Sequence, residues 1–173
     1  MVSKKIRELA AVAVAGALMG GGAHAAPQGM LNKSVTVSFS VTIPARAPDG
    51  STQANPRAVT RTIYISSQGN VFARAERRVG KNSQTAEKGP GEGGMRISGN
   101  SLVGVLPLQS GASQLTVNFD ASYSSCTAQL IMGAEKGKPI VYKGLNGMTY
   151  TQTGHASVSA VSCSVRAGNA FAS

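Results

Sequence analysis

The sequence predicts an all-β domain: an antiparallel meander of about nine or ten short strands closing into a small barrel, with a β-sandwich as the alternative, and one disulfide. Three observations carry this. Apolar and polar residues alternate with a period of two in one short segment after another, and no segment beyond residue 25 shows a convincing 3.6-residue period. Turn formers punctuate those segments at close spacing, among them 21 glycines and 7 prolines in 173 residues. The chain also has two cysteines, each within such an alternating segment and behind an export-type leader.

The leader comes first in the chain. Lys4, Lys5 and Arg7 precede an apolar run from Leu9 to Met19, and Ala23-His24-Ala25 fits the small-residue rule for signal-peptidase cleavage. The run is well short of the roughly 20 residues that a membrane span needs. Residues 1–25 therefore read as a signal peptide and residues 26–173 as a single β domain, exported to the periplasm or beyond. Losing three basic residues and Glu8 lowers the net charge from +10 to +8. A domain of that length buries roughly 68–70% of its surface on folding, so it can hold a core without heavy cross-linking.

The first strand is the clearest. Val35, Val37, Phe39, Val41 and Ile43 alternate with Thr36, Ser38, Ser40 and Thr42, and Pro44 is expected to end the strand because it cannot donate to a ladder. Residues 44–59, with three prolines and Asp49-Gly50, read as a long loop. A second strand over 60–66 turns through Ser67-Gln68-Gly69-Asn70, where glycine and asparagine supply positive φ, into a third over 71–78. Residues 79–94 read as a second long loop. Short strands follow at 95–98 and 101–106, then a loop at 109–113.

Two alternating runs come next, carrying Leu115, Val117 and Phe119, then Cys126, Ala128, Leu130 and Met132. A turn at Glu135-Lys136-Gly137-Lys138-Pro139 leads to strands at 140–143, 148–153 and 157–165. In the last, Ala156 and Val158 fall on one parity but Val161, Cys163 and Val165 on the other, so a bulge near Ala160 is expected. Cys126 and Cys163 form the only possible pair. A metal site would need further ligands, and a thiol nucleophile would need a base that is not evident. In the chain-entropy view such a cross-link stabilises by about 4 kcal/mol.

Three segments, 63–72, 117–126 and 162–165, resemble a group of small uncharacterised exported proteins of Gram-negative bacteria. The resemblance spans most of the chain after the leader and rests on turn-and-strand patterns such as Ile63-Tyr64-Ile65-Ser66-Ser67-Gln68-Gly69-Asn70. It implies export and a β fold, and it brings no activity with it.

No catalytic constellation, metal site or cofactor motif with chemical spacing is present in the sequence. Gly89-Pro90-Gly91-Glu92-Gly93-Gly94 matches G-x-G-x-x-G, but a dinucleotide needs a strand before it and a helix N-terminus after it, and here a short strand follows. His155 is the single histidine after the leader, and no G-x-S-x-G elbow accompanies it. Asp120, at a strand end, is expected to cap the turn through nearby amides.

Charge is the feature above background. Between Arg57 and Arg96 lie eight basic residues against three acids. On the second hairpin Arg61, Arg74, Arg77 and Arg78 could form one patch with Tyr64 and Phe72, an arginine–aromatic combination suited to anions. This favours a non-enzymatic binding module for an anionic envelope component or small ligand. The alternative is a structural or accessory envelope protein, or an inhibitor-like partner of another protein, binding through its long loops. Expected partners are an anionic polymer, a lipid headgroup or an acidic protein. Nucleic acid is disfavoured for an exported protein, and no transmembrane segment remains after processing.

Overall fold

In the computed structural model the described residues are 26–92, 94–108, 111–132 and 140–172. The predicted signal peptide, Gly93 of the glycine-rich loop, and the turn over 135–139 lie outside them. Eleven strands are defined: β1 (Lys33–Arg46), β2 (Thr52–Ile65), β3 (Val71–Val79), β4 (Asn82–Lys88), β5 (Met95–Ser98), β6 (Ser101–Leu108), β7 (Gly111–Phe119), β8 (Cys126–Ile131), β9 (Val141–Lys143), β10 (Thr149–Gln152) and β11 (Ser157–Ala167). All pair antiparallel, in two sheets that share no strand.

The larger sheet runs β4-β3-β2-β1 and curls into a half-barrel. The far side of β1 is divided: β11 pairs with Lys33–Thr42, and β10, followed by β9, takes Ala45 and Arg46. The smaller sheet runs β5-β6-β7-β8. Each sheet therefore contains a meander, and the last strand returns to lie beside the first. Alternation fixes which side of each strand faces the other sheet. Val35, Val37, Phe39, Val41, Ile43 and Ala45 of β1 meet Leu102, Leu115, Val117 and Phe119 of the smaller sheet in one buried cluster. The two sheets meet where β11 lies against β8, and Cys126 and Cys163 join them there with Cα atoms 5.6 Å apart.

The expected long loop over 44–59 is instead the end of β1, a five-residue turn, and the start of β2. Pro44 does not end β1, because the strand's hydrogen-bonding groups alternate sides. Its carbonyl accepts from Thr153 N at 2.9 Å, so its nitrogen also faces away from β2 and breaks no bond of that ladder. Pro56, paired with Thr42, shares that alternation, and its nitrogen points past the end of β3's pairing with β2, whose last residues are Ala58 and Arg78.

The loop expected over 79–94 is also shorter. Gly80, at φ 55°, makes a tight turn into β4, whose seven residues are all exposed. An edge strand that buries neither face has no apolar alternation to betray it. Similarly, β7 begins at Gly111, inside the loop expected over 109–113. In the β2–β3 turn Gly69 takes φ 80°, but Asn70 does not adopt positive φ. The bulge near Ala160 is present: the β1–β11 register jumps between Ser38 and Ser40, and Ala160 has φ 53°.

A candidate anion site on the concave face of the larger sheet

Side chains directly opposite one another across a ladder share a face. In the β2–β3 register Val59 opposes Arg77 and Arg61 opposes Ala75, while Thr62 opposes Arg74, Tyr64 opposes Phe72 and Ala58 opposes Arg78. Val59, Ala75 and Val37, the β1 partner of Arg61, are all buried. Arg61 and Arg77 therefore lie on the concave side. Arg57, paired with buried Val41, joins them. Tyr64, Phe72, Arg74 and Arg78 lie on the convex side.

The single patch expected from the sequence is thus two clusters on opposite faces, because Arg61 and Arg74 differ in strand parity. The convex cluster is internally matched. Arg74 Nε donates to Glu87 Oε1 at 2.7 Å and its guanidinium lies 4.8 Å from the Phe171 ring centroid. Arg78 pairs with Glu76 at 2.9 Å, and Tyr64 packs against Phe72 and Phe171.

The concave cluster has no such partner among the described residues. Among the described residues the ion pairs are those two on the convex face. Arg77 sits diagonally between Arg57 and Arg61, with Val59 directly opposite it. Burial pushes the Arg61 guanidinium down to about 10, and the positive charge of Arg77 adds to the effect. Arg77 is lowered likewise, by burial first and by Arg57 second. Arg61 Nε is buried with no hydrogen-bond acceptor, an uncommon state for a native polar atom.

Arg57 links this cluster to a cleft of about 240 Å³. Its guanidinium carbon lies 4.6 Å from the Tyr142 ring centroid, and Tyr142 stacks in turn on its cross-strand partner Tyr150 at 5.6 Å. Asn55 Nδ2 donates to the Tyr142 hydroxyl at 3.1 Å, and Asn146 Nδ2 to the Tyr150 hydroxyl at 2.7 Å. Gln53 completes the polar lining. A larger groove of about 480 Å³ beside Met95 and Gly104 has Arg96 as the charged group in its lining and no comparable cluster.

Sequence reasoning placed Arg57 in a loop and did not find Asn55, Tyr142 or Tyr150. A signal for Arg57 existed: it shares parity with Arg61, Ile63 and Ile65, and the isoleucines already read as inward. Nothing comparable marks the tyrosines, which arrive from β9 and β10, Tyr142 lying 87 residues beyond Asn55.

The other sequence candidates lie elsewhere. Asp120 accepts from the amides of Ser124 and Ser125 and from the hydroxyls of Ser122 and Ser124, a turn cap that holds its carboxyl well below the usual range. His155 is exposed between β10 and β11. The glycine-rich loop leads into β5 and not into a helix. Among the described residues no three His, Cys, Asp or Glu side chains converge to hold a metal. Comparison of the chain with protein-family models, curated proteins and solved structures gives no match.

Proposed function

We propose that this protein is an exported, non-enzymatic binding module that holds an anionic envelope component or small ligand on the concave face of its larger sheet. The observation that carries the reading is the placement of Arg57, Arg61 and Arg77 on one face with no carboxylate partner among the described residues. Like charges held together and partly withdrawn from water oppose folding unless an anion offsets them. Guanidinium forks match oxyanions in a bidentate way that a diffuse basic surface does not. The disulfide and the absence, among the described residues, of a helix able to cross a membrane are compatible with a location outside the cytoplasm. The accessory-protein alternative relied on long loops at 44–59 and 79–94, and most of those residues are strand.

Binding to immobilised heparin over a salt series tests the reading. Affinity should fall steeply with salt as counterions are released. Arg61→Gln with Arg77→Gln should weaken binding at least tenfold, as loss of charge-assisted hydrogen bonds worth about 1.5–3 kcal/mol each implies. Arg74→Gln with Arg78→Gln, whose charges are already matched, should change it less than about twofold. Equal losses from both pairs would assign binding to net charge and remove the site. N-terminal sequencing of exported material should read Ala-Pro-Gln-Gly; a chain that retains residues 1–25 would remove the export half of the reading.

A further inference from the structure

We propose that the ligand of this face is a phosphoryl group esterified to a small polyol, with the phosphoryl oxygens among Arg57, Arg61 and Arg77 and the polyol hydroxyls in the adjoining Asn55–Tyr142 cleft. The proposal rests on the reading of the concave arginines as an anion site and adds the chemistry of what they hold.

The arginines argue for a tetrahedral oxyanion. Arg77, opposite buried Val59, falls between Arg57 and Arg61 of β2 on the same face, so three guanidinium groups rise from neighbouring positions of one surface. A carboxylate offers two oxygens in one plane. A phosphoryl group offers three, spread in space, and so can meet forks arriving from three directions.

The cleft argues for the polyol. Arg57 belongs both to the cluster and to the cleft wall, so an anion held at Arg57 has the Tyr142 cleft beside it to receive a substituent. Apart from Arg57 the polar lining is neutral: the amides of Gln53, Asn55 and Asn146 and the hydroxyls of Tyr142 and Tyr150. Such groups both donate and accept, as hydroxyls require. An aromatic substituent fits less well. Tyr142 has Arg57 against its ring and Tyr150 stacked with it, and a Cβ on Gly144 would come within 2.7 Å of the Tyr150 ring. The two rings are covered, so stacking of a base is denied. At about 240 Å³ the cleft lies below the 300–1,000 Å³ of drug-sized pockets and suits a body of monosaccharide size or smaller.

Soluble polyol phosphates present all three oxygens, and the headgroup of phosphatidylglycerol presents a glycerol phosphate as a diester with two. Titration calorimetry of the purified protein at low salt, with inorganic phosphate, glycerol 3-phosphate, glucose 6-phosphate and adenosine monophosphate, separates the possibilities. The polyol phosphates should bind at least tenfold more tightly than inorganic phosphate or the nucleotide. Asn55→Ala should erase that advantage while leaving inorganic phosphate within twofold. Tyr142→Phe, which keeps the ring beneath Arg57 and removes only the hydroxyl, should act in the same direction and covers any loss of folding in Asn55→Ala.

Polyol phosphates binding no better than inorganic phosphate would overturn the proposal and leave the anion site standing. No phosphate binding while heparin still binds would do the same. No binding of either would remove both readings. Vesicles of phosphatidylcholine with and without phosphatidylglycerol identify the source. Retention by phosphatidylglycerol that glycerol 3-phosphate displaces assigns the headgroup, and binding of the soluble esters alone assigns free metabolites. Retention that glycerol 3-phosphate cannot displace would count against the proposal.

Discussion

Asp120 shows how a single residue's surroundings set its titration. It lies on the surface, yet two hydroxyls, that of Ser122 foremost, and two amides donate to its carboxylate and hold its pKa well below the unperturbed value of 3.8. Below that value the unfolded chain takes up a proton that the folded chain resists. Stability contributed by the ionised cap is therefore complete above pH 3.8 and is lost as pH falls further towards the folded value. Asp120→Asn should make the urea midpoint less sensitive to acid over that range; an unchanged slope would show that the cap contributes nothing. Some slope should persist, because Asp49 is held low in the same way by Ser51. The cap was readable from a strand-end aspartate followed by serines. The sidedness of the arginines was readable too, since strand parity alone separates Arg61 from Arg74. Proximity along one hairpin was an inadequate guide, because neighbours on adjacent strands share a face only when the register pairs them.

Among the elements, legibility followed burial. β1 buries a complete row and was evident from its alternation, whereas β4 buries nothing and read as loop. The prolines in the first hairpin misled for a related reason: proline excludes a ladder bond only on the side its nitrogen faces. The disulfide acts at this scale. β8 and β11 belong to different sheets, so no backbone ladder joins them, and the Cys126–Cys163 bond is the covalent tie between them. Cys126→Ser with Cys163→Ser should lower the unfolding free energy by about 3–4 kcal/mol, and reducing the wild-type protein should shift its urea midpoint equally. A double variant as stable as the parent would show that packing of β8 on β11 suffices by itself. Thiol titration of the denatured, unreduced protein should find none free.

For the molecule as a whole, the sequence supplied an all-β chain with a disulfide but not which strand lies beside which. Pairing across long separations leaves no trace in local alternation. β11 is the main case: Lys33 pairs with Ala167, Gly168 N donates to Asn32 O at 2.8 Å, and Ser34 Oγ donates to Gly168 O at 2.7 Å. Both long edges of β1 are thereby satisfied, one by the strand that follows it and the other mostly by the strand made last. During synthesis β1 emerges early and must wait for more than a hundred residues before that second edge is covered. Until then it is an apolar strand with an open row of amides and carbonyls, the species most prone to pair with a neighbouring chain. A chain stopped before residue 157 should therefore aggregate rather than fold; a soluble, cooperatively unfolding fragment would show that β1 does not depend on β11. A protein arranged in this way reaches its native state only after β11 is free, so the time spent incomplete is set by the speed of the machinery that makes it.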